Sequence, residues 1–271
     1  MRDLNGAVAV VTGAGSGIGR ALAQELAGRG AELALADIDS EAMEQTRRSL
    51  GGTNARTYIV DVADQGAVQN FARDVGSDFR RITLLINNAG VSLHGTFAEI
   101  SIADMEWLIR INLWGAIYGC RYFLPLLLRE PEAHIVNMSS VFGLIGQPGQ
   151  TAYCASKFAV RGFTEALRLE LKETAVKVTC VLPGGVRTAI AKNARAGAEA
   201  LPGCIREDAE RFDKLAPTTA AEAARAIVRG VLKNKSRLLI GADALRIDLM
   251  QRFMPVEAAG IFATSVAKRV S

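Results

Sequence analysis

Histidine and cysteine are scarce in this sequence. Its 271 residues include two histidines, His94 and His134, and four cysteines, Cys120, Cys154, Cys180 and Cys204. The cysteines have neither Cys-x-x-Cys spacing nor histidines close by, so zinc and redox sites do not fit and no metal is expected. Reduced core thiols are the default, and Cys154, although next to Tyr153, has no obvious histidine partner as a nucleophile. Aromatics amount to 6% and the net charge of +4 is spread without a basic run, which gives a nucleic-acid surface little support. No stretch approaches the roughly 20 apolar residues that a bilayer span requires, and the N-terminus carries no long apolar signal core. A soluble, cytoplasmic protein is the expectation.

The apolar share of 49% and charged share of 22% are those of an ordinary globular chain, long enough to bury a large core without disulfides. Residues 7–11 form a β-branched apolar run that reads as a buried strand. It leads directly into the glycine-rich stretch Thr12 to Gly19, after which Ala21, Leu22 and Leu26 are spaced for one face of a helix. Strand, glycine loop and helix in this order present backbone N–H groups to a pyrophosphate. A second strand over 32–36 ends at Asp37, where a carboxylate can accept from ribose hydroxyls and repel a 2′-phosphate. Ser16, rather than a basic residue, precedes Gly17, so NAD is favoured over NADP. Asp39 can share the ribose role or cap the next helix, expected over 40–50.

The alternation continues. A third strand over 57–62 carries Asp61 at its end, a candidate for the adenine, and a helix over 65–79 comes after it. The fourth strand stops at Asn87 and Asn88, whose amides either cross-link strand ends or reach a cofactor. A mainly helical stretch over 101–128 contains Asn112, a buried amide that either satisfies backbone groups or holds a water. The fifth strand ends at Ser139 and Ser140, and a sixth spans 177–182. Strand and helix in alternation imply a Rossmann-type, doubly wound α/β fold with a parallel sheet, and the absence of a composition break gives one domain over 1–271.

Tyr153 and Lys157 are spaced to share one helix face a turn apart. An ammonium that close to a phenol is expected to lower the phenol's pKa from about 10 toward the range of a general acid/base.

With the motifs Thr12-Gly-x-x-x-Gly-Ile-Gly19, Asp61-Val62, Asn87-Asn-Ala-Gly90, Asn112, Ser140, Tyr153-x-x-x-Lys157 and Pro183-Gly-x-x-x-Thr188 in this order, the chain resembles the short-chain dehydrogenase/reductase family over about residues 5–245. The resemblance implies catalysis by Ser140, Tyr153, Lys157 and Asn112. Tyr153 would be the general acid/base, Lys157 would lower its pKa and bind the nicotinamide ribose, and Ser140 would hold the carbonyl oxygen. Asn112 would hold a water in a proton relay, and Ser139 would be structural. Gly13, Ser16, Gly17, Ile18, Gly19, Asp37, Asp61, Val62, Asn88, Ala89 and Gly90 would hold NAD, together with Tyr153, Lys157 and Pro183. Val186 and Thr188 would contact the carboxamide.

Residues 189–216 correspond to the family's variable substrate loop. Leu93, His94, Phe142, Leu144 and Ile145 are placed to line the pocket, and their mainly apolar character suggests a hydrophobic alcohol or ketone such as a lipid, steroid or aromatic. His94 and Phe142, with Ser140 and Tyr153, are the substrate candidates. The extension over 243–271 is expected to be a lid, an oligomer contact or a membrane-surface helix, the first two favoured because the family usually forms dimers and tetramers. The leading expectation is an NAD-dependent dehydrogenase of secondary alcohols. The alternatives are a 3-oxoacyl thioester reductase, against which Asp37 speaks, and a non-catalytic nucleotide sensor.

Overall fold

A computed structural model describes residue 1 and residues 3–191, 193–197 and 216–268, the last four by backbone alone. Most of the expected substrate loop, 198–215, and the end of the tail, 269–271, therefore lie outside the described residues, as do Cys204 and the charged stretch 206–214. Seven strands form the central sheet: β1 (Val8–Thr12), β2 (Glu32–Asp37), β3 (Ala55–Ile59), β4 (Leu84–Asn87), β5 (Ala133–Met138), β6 (Val176–Pro183) and β7 (Arg237–Ile240). They lie in the order β7-β6-β5-β4-β1-β2-β3, every pairing parallel. The chain winds away from β1 in both directions, so a crevice opens beyond the carboxyl ends of β1 and β4, where ligands of such sheets bind.

β1 is buried along its whole length, which its unbroken apolar run requires of a strand covered on both faces. One face is covered by α1 (Gly17–Ala27) and by α7 (Ala220–Leu232), whose Leu22, Leu26, Ile227 and Val231 pack with Val11, Leu33 and Ile86. The other is covered by α3 (Gln65–Asp78), α5 (Gly115–Leu127) and α6 (Thr151–Glu170), through Phe71, Phe123 and Leu167 against Val10, Leu85 and Ile135. The doubly wound fold expected from the alternation is the one observed.

Three boundaries differ from the sequence reading. β3 ends at Ile59, so Asp61 lies in the loop beyond it, where its Oδ1 accepts from Ala63 N–H at 2.9 Å. The stretch 101–128 is two helices, α4 (Ile102–Ile109) and α5, joined by a π-helical turn, Arg110–Trp114, that contains Asn112. A seventh strand, β7, adds itself to the sheet edge beside β6.

Side chains cap four of the described helix starts. Asp39 accepts from Ala42 N–H at 2.9 Å at the head of α2 (Ser40–Arg48), so its helix-cap reading is the one realised. Asp64 and Ser101 cap α3 and α4 in the same way, and Thr219 with Glu222 forms a reciprocal capping box on α7.

Beyond β7 the chain adds α8 (Ala242–Phe253) and α9 (Ala258–Lys268). Asp248 of α8, 5% exposed, pairs with Arg237 of β7 and accepts from Arg252 at 3.0 Å. Burial works against its charge, and the two guanidinium groups outweigh that, holding the carboxyl below its ordinary range. Ala258, Ile247 and Phe262 close a small apolar cluster over Val141, Leu144 and Ile145.

Candidate active site

The carboxyl ends of β1 and β4 are locked together by Thr12 and Asn88. Thr12 Oγ1 accepts from the N–H groups of Asn88 and Ala89, each at 3.0 Å, while Asn88 Nδ2 donates to the carbonyls of Thr12 at 2.9 Å and Gly13 at 3.2 Å. Of the two readings of this amide, cross-linking is thus present in the geometry. Asn87 does the same one residue earlier, donating at 2.8 Å to Asn137 Oδ1 on β5.

Around this junction the glycines leave no room for side chains. A Cβ at Gly13, whose φ is +65°, would sit 2.8 Å from Ala89 Cα, and one at Gly19 would run into the carbonyl oxygen of Gly13. Gly17 faces Thr188, whose methyl would lie 3.3 Å from an added Cβ, so the segment that begins at Pro183 and passes through buried Val186 folds back over the glycine loop. α1 starts there at Ser16, which makes no side-chain cap, and Ile18 packs inward on the core. The first turn of α1 carries no acidic residue, so its free N–H groups can take an anion such as a pyrophosphate.

Asp37 closes the rim at the end of β2. Its Oδ2 accepts from Gly15 N–H at 2.7 Å and its Oδ1 from Asp39 N–H at 3.1 Å. Arg20, the basic residue just past the glycine motif, turns beneath the loop. It donates to the carbonyls of Gly15 at 2.5 Å and Ala42 at 3.2 Å and to Thr46 Oγ1 at 2.9 Å. Sequence reasoning passed over Arg20, and its neighbourhood could not be read from spacing. Val62, next to Asp61, fits against Gly115, where a Cβ would approach it to 2.9 Å.

The second cluster sits across the crevice. Ser140 caps a 3-10 turn (Val141–Gly143), accepting from Phe142 N–H at 3.1 Å, and its hydroxyl lies close enough to the phenol of Tyr153 to act on its titration. Ser139 is structural, as expected: its Oγ donates to the Lys157 carbonyl at 2.8 Å. Lys157 comes one turn of α6 after Tyr153, with Nζ 5.5 Å from the centre of the phenol ring, and donates to the Met138 carbonyl at 3.0 Å.

Burial dominates the titration of both residues. It pushes the Tyr153 phenol up to about 12 against the opposing pull of the Ser140 hydroxyl. The same cause draws the Lys157 ammonium down to about 8. The expected depression of the phenol by the lysine is therefore not present in this geometry. Lys157 is buried and Tyr153 partly so, and the ammonium is directed at a carbonyl rather than at the phenol oxygen.

Asn112 satisfies backbone. Its Oδ1 accepts from Val91 N–H at 2.8 Å, and its Nδ2 donates to the Val91 carbonyl at 3.0 Å and to Ser156 Oγ at 3.2 Å. Gly90 lies between the two polar groups, since a Cβ there would be 3.2 Å from Asn112 Oδ1 and 3.5 Å from Lys157 Nζ.

The outer walls are mixed. Phe142 meets Tyr153 edge to face at 6.2 Å and Phe262 of α9 at 6.1 Å. His94 takes a 3.0 Å contact from Gln150 through Nδ1, at the head of α6. Leu93, Leu144 and Ile145, expected to line the pocket, are each 1% exposed and packed inside apolar clusters, so they back the walls instead. Among the described residues no group of three His, Cys, Asp or Glu is placed to hold a metal ion, and no helix is long and apolar enough to cross a membrane.

Two polar clusters facing one crevice at the switch point match a recorded pattern. The family model described as short chain dehydrogenase fits residues 7–199. The chain belongs to that family. This short-chain dehydrogenase is 42% identical to the Mycobacterium tuberculosis protein named oxidoreductase SadH, over 99% of this chain and 98% of that one. Among solved structures it is similar to a short-chain dehydrogenase/reductase from Burkholderia phymatum in complex with NAD, with 33% identity, a TM-score of 0.87, and 93% and 95% of the two chains covered. It is also similar to a metagenomic short-chain oxidoreductase in complex with NADP, at 28% identity and a TM-score of 0.71, with 87% and 97% covered.

Proposed function

We propose that this short-chain dehydrogenase interconverts a hydrophobic secondary alcohol and its ketone, with NAD as the hydride carrier. The observation that carries the reading is Lys157, buried with its Nζ 5.5 Å from the centre of the Tyr153 ring, beside a buried Ser140 at the edge of the glycine crevice. The cofactor, when bound, supplies or accepts the hydride.

The chain's own residues do the rest. The hydroxyls of Ser140 and Tyr153 would hold the substrate oxygen. Tyr153 gives or takes the proton at its phenol oxygen. Lys157, beside Gly90, would bind the nicotinamide ribose. Asn112 and Lys157 flank Gly90, and a water held between them would pass the proton on toward solvent. Gly13, Gly17 and Gly19 let the pyrophosphate approach backbone, Asp61 and Val62 take the adenine side, and Ala89, Gly90, Pro183, Val186 and Thr188 enclose the nicotinamide.

Two observations support NAD over NADP. Asp37 puts a carboxylate at the ribose rim, and Arg20 is committed to loop carbonyls instead of facing that rim. Phe142 and Phe262 support an apolar substrate body, and His94, paired with Gln150, is the candidate for a polar contact to it. A homo-oligomer is the assembly that the family resemblance implies.

The test is a fluorescence titration with NADH and NADPH, then a turnover screen over hydrophobic secondary alcohols and ketones. Tighter NADH binding with a substrate hit is the expected result. Preference for NADPH, or activity confined to small polar alcohols, contradicts the reading.

A further inference from the structure

The segment over 183–188 carries Val186 and Thr188, the second of which faces Gly17 of the glycine loop, and three tethers hold it besides the short strand pairing of Val186 and Arg187 with Thr218 and Thr219. Gly184 N–H donates to the Ile240 carbonyl at 2.9 Å, and Thr218 N–H donates to the Gly185 carbonyl at 3.3 Å. The third is a side chain: Gly185 N–H donates to Asp243 Oδ2 at 2.6 Å. A short bond from an N–H to a carboxylate belongs to the stronger, charge-assisted class.

The surroundings of Asp243 are shaped for this contact. A Cβ at Gly184 would collide with the carboxylate, and so would one at Gly241, whose φ of +96° turns the chain from β7 into α8. Gly185 is less tightly confined, with a Cβ there 3.1 Å from Ala216 Cα. Asp243 Oδ1 is buried and has no hydrogen-bond partner. A buried acceptor left unmatched is costly and calls for a reason.

We infer that Asp243 is a positioning residue for the nicotinamide end of the cofactor site, acting through Gly185 on the turn that presents Val186 and Thr188. The inference rests on the nicotinamide reading above. It gives the first turn of α8 a role in cofactor geometry, 58 positions along the chain from the N–H it holds. The other two tethers are backbone to backbone, so Asp243 is the one of the three that a side-chain substitution removes.

The experiment compares two ligands on the full chain. NADH spans the whole site, whereas ADP-ribose lacks the nicotinamide and reads the adenosine and pyrophosphate half alone. For Asp243→Ala, NADH affinity falls about tenfold while ADP-ribose affinity stays within about twofold of wild type. Asp243→Asn keeps an acceptor and the side-chain volume, and serves if the alanine variant does not fold. It lies between wild type and alanine for NADH, because the bond it leaves is neutral. Equal losses of both ligands in either variant, or unchanged NADH affinity in both, overturn the inference. A wild-type protein that binds neither ligand overturns the nicotinamide reading itself and the inference with it, a result distinct from a failure confined to Asp243.

Discussion

Lys157 directs its ammonium at the carbonyl of Met138, 3.0 Å away, where β5 ends beneath α6. The lysine is 4% exposed, and this single carbonyl is a poor substitute for water around a cation.

That burial makes stability depend on pH. The folded-state pKa of Lys157 is about 8 against an ordinary 10.5, so between these values the unfolded chain binds more protons than the folded one. Stability therefore rises with pH across that window, relative to a Lys157→Met variant that has nothing to titrate. The Tyr153 shift is common to both proteins and cancels in the difference. Urea unfolding of both at about pH 8 and about pH 10 measures it, and a constant difference would contradict the burial argument.

Replacing Tyr153 by Phe removes one oxygen and keeps the ring that Phe142 meets edge to face. Turnover should fall by about 10²- to 10⁴-fold, the range for losing a general acid/base, with NADH affinity unchanged. Steady-state kinetics beside a cofactor titration separate the two, and appreciable residual turnover would remove Tyr153 from proton transfer.

Asp37→Ala deletes the carboxylate at the ribose rim and the anchor of Gly15. NADH should bind about tenfold more weakly, about 1.4 kcal/mol, and the ratio of NADH to NADPH affinity should shrink. If the ratio holds while both affinities drop, Asp37 acts on the loop and not on the ribose.

Phe262→Ala unpins Phe142 from the tail. Phe262 is partly buried, so about 1–2 kcal/mol of stability should be lost, less than the roughly 3–5 typical of a fully buried Phe. KM for an apolar substrate should rise more than kcat falls. Thermal unfolding checks the first expectation and kinetics the second, and a KM left at the wild-type value would detach α9 from the substrate site.

The glycine loop, the strand-end asparagines and the Tyr153–Lys157 pair were legible because each depends on neighbours in sequence. Helical spacing alone puts Lys157 a turn from Tyr153, and the strand before Gly13 already implies the crevice. Arg20 and Asp243 were not legible. Their partners lie 26 and 58 residues away at the furthest, and nothing in the local pattern says whether such a side chain turns toward the loop or toward solvent. The direction of the Tyr153 shift was misjudged for a related reason. Spacing reports the nearby cation, whereas burial, the larger effect, depends on the whole fold. β7 escaped because four residues at a sheet edge carry little periodicity.

The π-helical turn at 110–114 widens the local winding, and an added residue there advances the start of α5 by about 100° around the axis. Without it, one long rod would show the same stripe to the same neighbour from end to end. With it, α4 leans on α6 while α5 leans on α3, so a single continuous length of helix serves two partners out of phase. The joint works as a gear change, and Asn112, at its centre, is the tooth that engages Val91.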